Sequence, residues 1–203
     1  MIAAPDVAAE PPPGWATADV APPPLGEGTR ASVTQWRAAR GPHGVTWVTG
    51  CIAAPVPGWV EDMRPAIEAR TLALAGATAG RVAGVPVDAR PGPEGTWALV
   101  PAGATAPAPL GTARTFLGFD PERVFGCFAL CAAPPDAVVA PECDRIAGAR
   151  LEGGGAPPPP GLVLGATSWA VHHPRTSGGA LAGLAVAAGL LAVLTRPRPR
   201  SRA

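Results

Sequence analysis

The sequence predicts an α+β domain, a small mostly antiparallel sheet with two helices, followed by one carboxy-terminal transmembrane helix. Three observations carry this. Two apolar runs, Arg114 to Phe119 and Arg123 to Cys131, flank Asp120-Pro121-Glu122, and Asp-Pro between such runs marks a β-hairpin. Val60, Met63, Ile67, Thr71 and Leu74 recur at helical spacing. Between Arg175 and Arg196 the chain is uncharged for about 20 residues, which as a helix would reach about 30 Å, the thickness of a bilayer's hydrocarbon core.

Taken in order, residues 1–28 read as a proline-rich, disordered spacer, because Pro11 to Pro13 and Pro22 to Pro24 prevent regular structure. The globular domain is expected over 29–152. It opens with a strand pair, Ser32 to Ala38 and Val45 to Ile52, around the turn Gly41-Pro42-His43-Gly44, with Trp36 and Trp47 as core residues. A helix follows Pro57-Gly58. Glu61 and Asp62 favour its positive end, and Pro65 either starts or kinks it. Strands are expected at Arg81 to Ala89 and at Thr96 to Val100.

In the hairpin, Phe116, Leu117, Phe119, Val124, Phe125, Phe128 and Leu130 place apolar side chains on both faces. These strands therefore belong at the centre of a sheet, covered by a helix on one side and by a second layer or long loops on the other. A short last helix is expected from Pro141 to Leu151, with proline in its first turn and Cys143, Ile146 and Ala147 facing inward. Residues 153–175 form a Pro/Gly-rich linker, 176–195 the membrane helix and 196–203 an arginine-rich tail.

The four cysteines, Cys51, Cys127, Cys131 and Cys143, are even in number, which suits disulfides and an oxidising compartment. If Arg123 to Ala132 is a strand, Cys127 and Cys131 share a face but lie about 13 Å apart, too far to bridge each other. Two connectivities remain, and the preferred one joins Cys51 to Cys127 and Cys131 to Cys143. Reduced core thiols are the competing reading. A four-cysteine zinc site lacks the paired short spacing of zinc ribbons.

In the expected span, Leu181, Leu184, Val186, Leu190, Leu191, Val193 and Leu194 supply nearly all the hydrophobicity, and alanine and glycine fill the rest. Membrane lipid is thus the expected partner. Arg196, Arg198, Arg200 and Arg202 would hold that end in water and against anionic head groups. Basic residues beside a span stay cytoplasmic, which puts the domain outside. An exported domain needs a targeting signal, yet the chain begins Met1-Ile2-Ala3-Ala4-Pro5-Asp6. Either a signal peptide lies upstream, the preferred reading, or the chain inserts by its tail and keeps a reduced domain in the cytoplasm. Gly179, Gly183 and Ala187, four apart, would let two such helices approach closely.

Ser177-Gly178-Gly179 before the apolar run and its arginine-rich finish resembles the GlyGly type of bacterial carboxy-terminal sorting tail. That resemblance implies cleavage near Gly178 and Gly179 by an intramembrane rhomboid-type protease, then release or transfer to the cell surface. It covers only the last 28 or so residues.

Catalytic groups are sparse. The domain's one histidine, His43, falls in a predicted turn, and neither Ser32 nor Ser168 lies in a Gly-x-Ser-x-Gly elbow. Asp120 and Glu122 serve a turn, Glu61 and Asp62 a helix start. His172 and His173, adjacent in sequence, point differently and make an incomplete metal site. Gly153 to Gly155 run into prolines rather than a helix, so they cradle no phosphate. All 16 basic residues are arginine, and a net charge of +1 gives no case for nucleic acid. No cofactor is implied. The expectation is a non-enzymatic, membrane-anchored bacterial envelope protein with a binding or structural role, the alternatives being the tail-anchored protein above or an unrecognised enzyme.

Overall fold

The computed structural model describes residues 4–26, 29–56, 60–105, 108–137, 139 and 141–157. Its centre is a seven-stranded, wholly antiparallel sheet. In chain order the strands are β2 (Ala16–Thr17), β3 (Ser32–Arg40), β4 (Thr46–Pro55), β5 (Val87–Pro91), β6 (Trp97–Pro101), β7 (Gly111–Phe119) and β8 (Arg123–Ala132), and across the sheet the order is β2-β3-β4-β8-β7-β6-β5. After β4 the chain crosses one face as helix α1 (Val60–Ala83), reaches the far edge at β5 and returns strand by strand. That route brings β8 beside β4, in the middle of the sheet. A separate ladder pairs β1 (Asp6–Ala8) with β9 (Arg150–Glu152). The α+β class, with an antiparallel sheet and two helical segments, is therefore as expected from sequence.

Because strand side chains alternate, β8 feeds two cores. Phe125, Cys127, Ala129 and Cys131 enter a cluster with Trp47, Cys51, Cys143 and Ile146, while Phe128, Leu130 and Ala132 join Val48, Leu99 and the α1 residues Ala75 and Ala79. Helix α1 covers the second face and the β1–β9 ladder lies on the first. Thr71, Ala75, Thr78 and Ala79 are its buried stripe. The buried threonines donate their hydroxyls to the carbonyls of Ile67 and Leu74 four residues back, so neither is left unpaired. Gly126 of β8 lies directly beneath Thr71, and a Cβ there would collide with the threonine hydroxyl. Helix and sheet therefore approach more closely than side chains on both would allow.

Several boundaries differ from the sequence expectation. Helix α1 runs through Pro65, which forfeits a single bond to the carbonyl of residue 61, and it extends to Ala83, so the strand expected from Arg81 begins only at Val87. Burial of Ala79 and Ala83 against the sheet outweighs the weak strand pattern there. Pro141–Gly148 is a 3-10 segment rather than an α-helix, and it yields to β9 at Arg150. Cys143 and Ile146 point inward as expected, with Ala147 half-buried. Arg114 donates from its guanidinium to the carbonyls of Ala147 and Ala149, closing that segment where it has no helical partners of its own.

The clearest correction concerns residues 1–28, expected to be disordered. Val7 of β1 is 1% exposed, Pro5 and Pro12 are buried, and Ala16–Thr17 extend the main sheet. The proline-rich composition disfavours helix, but it does not prevent an extended chain from lying in a groove. Gly155, within the stretch expected to be a linker, still belongs to the domain, since its N–H bonds the Phe119 carbonyl at 2.7 Å.

The hairpin turn is held as its residues suggest. Asp120 accepts from the backbone N–H groups of Glu122 and Arg123 and pairs with the Arg123 guanidinium at 2.7 Å. Burial pushes its carboxyl up, but these hydrogen bonds and the neighbouring cation outweigh burial and hold it below its ordinary value. A depressed carboxylate stabilises the fold above its unfolded pKa, and that contribution is lost as pH falls through the lower folded value. Asp120→Ala is expected to cost about 2 kcal/mol at pH 7. In chemical denaturation the gap to the parent should narrow below about pH 4; a gap independent of pH would show that the charge is not responsible.

Candidate functional site

Two disulfides fix the face of the sheet opposite α1. Cys51 and Cys127 stand directly opposite each other on β4 and β8 with Cα atoms 4.1 Å apart, the spacing of a narrow antiparallel pair. Cys131 joins Cys143 across 5.3 Å and ties the 3-10 segment to β8. Of the two connectivities the sequence left open, this is the one present. All four cysteines are fully buried, so the bridges are structural parts of the core. Two disulfides of this kind suit an oxidising compartment, periplasmic or extracellular.

Over this face runs the amino-terminal segment, and glycines make room for it. The Pro5 ring sits above Gly118 and Gly154, whose hypothetical Cβ atoms would lie 2.7 and 3.1 Å from Pro5 Cγ. The Trp15 indole covers Gly41 in the same manner. Between them Val7 enters the disulfide-side core, its N–H donates to Gln35 Oε1 at 3.1 Å, and Asp6 pairs with Arg37 at 3.1 Å. That ion pair is exposed, 67% at Arg37 and 48% at Asp6, and contributes at most about 1 kcal/mol. On the other face of β3, Trp36 meets Phe128 edge to face at 5.6 Å and donates its indole N–H to the Val20 carbonyl.

The seam between this segment and the sheet is also where polar groups go unmet. Among the described residues, the buried side-chain polar atoms without a hydrogen-bond partner are Asp6 Oδ1, Gln35 Nε2 and Trp47 Nε1. Trp47 also lines a cavity of about 650 Å³, together with Trp15, Trp36, Arg37, Glu10 and Asp19. Its size and mixture of aromatic walls with a few polar groups suit a binding site. A larger groove between α1 and β5, about 880 Å³, is lined mainly by alanine, glycine and valine and brings no set of polar groups together.

His43 is exposed, with φ of 55°, in the Gly41-Pro42-His43-Gly44 turn. The Gly92-Pro93-Glu94-Gly95 turn has the same form, with Glu94 at φ 53° and matching bonds from Gly92 to Thr96 and from Thr96 to Pro93. The left-handed backbone at His43 is thus a demand of this turn type rather than of a site. No group of three or more His, Cys, Asp or Glu residues able to hold a metal occurs among the described residues. No helix among them is long and apolar enough to cross a membrane. The apolar residues Leu181 to Leu194, the arginines from Arg196 to Arg202, Gly178, Gly179, His172 and His173 lie outside the described residues.

Sequence reasoning missed Pro5, Val7, Trp15 and Gln35. The available signal was Val7 and Trp15, apolar residues that a solvated spacer has no use for. Comparison with protein-family models, with curated proteins and with solved structures finds no match to this chain.

Proposed function

We propose that this chain is a bacterial envelope protein whose disulfide-stapled domain is displayed outside the membrane and held by a single carboxy-terminal helix, with a non-enzymatic binding role. The observation that carries the reading is the pair of buried disulfides in a chain that ends in an uncharged stretch of about 20 residues flanked by arginines. The glycine-lined groove and aromatic cavity under the amino-terminal segment support binding.

Two measurements test the reading. Alkylation of the chain unfolded in denaturant without reductant, read by mass spectrometry, is expected to label none of the four cysteines. A reporter fused ahead of the domain is expected to report an external location. Four labelled cysteines and a cytoplasmic reporter would replace the proposal with a tail-anchored protein whose thiols are reduced.

A further inference from the structure

We propose that the amino-terminal segment is an exchangeable strand, and that the groove it fills accepts the same segment from a second copy of this chain. This deepens the binding-domain reading above by naming the partner. The groove has the form of a site for an extended peptide, in which backbone hydrogen bonds give affinity and alternate side chains fill separate seats. Gly118 and Gly154 seat a proline ring, the disulfide-side core seats Val7, and Gly41 lies beneath an indole. Gln35 Oε1 accepts the backbone N–H of Val7, and Arg37 takes the carboxylate of Asp6.

The segment is held to this face by few backbone hydrogen bonds. Its ladders are three and two residues long, its ion pair is exposed, and the three unpartnered buried polar atoms all lie along its seam. Short ladders with few contacts are a feature of units that open below the global unfolding limit. The occupant follows from the seats themselves. Pro5-Asp6-Val7 fits them by construction, every copy of the chain carries that sequence, and copies tethered to one membrane meet at raised local concentration.

The probe is a fluorescein-labelled synthetic peptide of residues 4–17, added to the full chain with its disulfides oxidised and followed by fluorescence anisotropy. Val7→Asp in the full chain is expected to unseat the resident segment and raise peptide affinity at least tenfold, whereas the same change in the peptide abolishes binding. If Val7→Asp prevents folding, Val7→Ala replaces it, since it removes the buried side chain that anchors the segment without placing a charge in the core. Hydrogen exchange in the parent is expected to be at least tenfold faster at residues 6–8 than in β8. A folded variant that takes up no more peptide than the parent overturns the proposal, as does binding indifferent to Val7 in the peptide or protection of residues 6–8 equal to that of β8. A chain that stays monomeric well above the measured peptide Kd overturns the choice of a second copy as occupant. The assay uses no membrane, so failure of the anchored reading leaves its outcome intact.

Discussion

Replacing Cys51 and Cys127 together by alanine is expected to lower stability by about 4.5 kcal/mol, against about 2.8 kcal/mol for the pair Cys131 and Cys143. The difference comes from the loops each bridge closes in the unfolded chain. Cys51 and Cys127 are 76 residues apart and Cys131 and Cys143 only 12, so the first bridge removes more conformational freedom from the unfolded state. For a domain of this size the larger loss corresponds to a drop in Tm of roughly 10–15 °C. Thermal melts followed by circular dichroism, each with the other bridge left oxidised, provide the comparison. An equal or reversed ranking would show that loop closure does not control these bridges and that local packing around the 3-10 segment does.

The larger packing effect is expected at Gly111. This glycine opens β7 opposite Ala132, and a Cβ placed there would run into the backbone of Cys131 and Ala132 on β8. Most crowded glycines of the domain face side-chain atoms, as Gly50 faces the Trp36 ring. At Gly111 the obstacle is the backbone of a strand paired on both sides, which has nowhere to move. Gly111→Val is therefore expected to cost at least about 3 kcal/mol, the upper end of overpacking penalties, or to leave the chain unfolded. Gly148→Ala is the control, because nothing lies within 4 Å of its Cβ position and its backbone is not left-handed. It should change stability by less than about 0.5 kcal/mol. If Gly111→Val were as mild as the control in urea denaturation, the close approach of β7 and β8 would be wrong.

These two expectations differ in how far the sequence announces them. The cysteines can be counted, and their spacing along a strand narrows the connectivity, but nothing in Leu110-Gly111-Thr112 marks Gly111 as a point where two backbones nearly touch. The same contrast holds at the amino-terminal segment. Pro11 to Pro13 advertise an absence of helix, and from that alone one infers a solvated spacer. Only the distant glycines Gly118 and Gly154 turn Pro5 into a packed residue. The cavity beside the segment is equally silent in sequence, since Trp15, Trp36 and Trp47 come together from three separate stretches of chain.

What the sequence determined by itself is local or periodic. The Asp120 turn is legible because its hydrogen bonds reach only two and three residues along the chain. The strands β3, β4, β7 and β8 are legible because they carry apolar side chains that repeat along the chain, and the α+β class follows from them. The uncharged carboxy-terminal stretch is a property of composition and needs no fold to be seen. Tertiary structure alone decided that α1 continues through Pro65 to Ala83, that Pro141–Gly148 tightens into a 3-10 segment tied to β8 by Cys143, and that Asp6–Ala8 pairs with Arg150–Glu152 across almost the whole domain. In each case the deciding energy is burial against residues far away in the chain, and no window of neighbouring residues contains it.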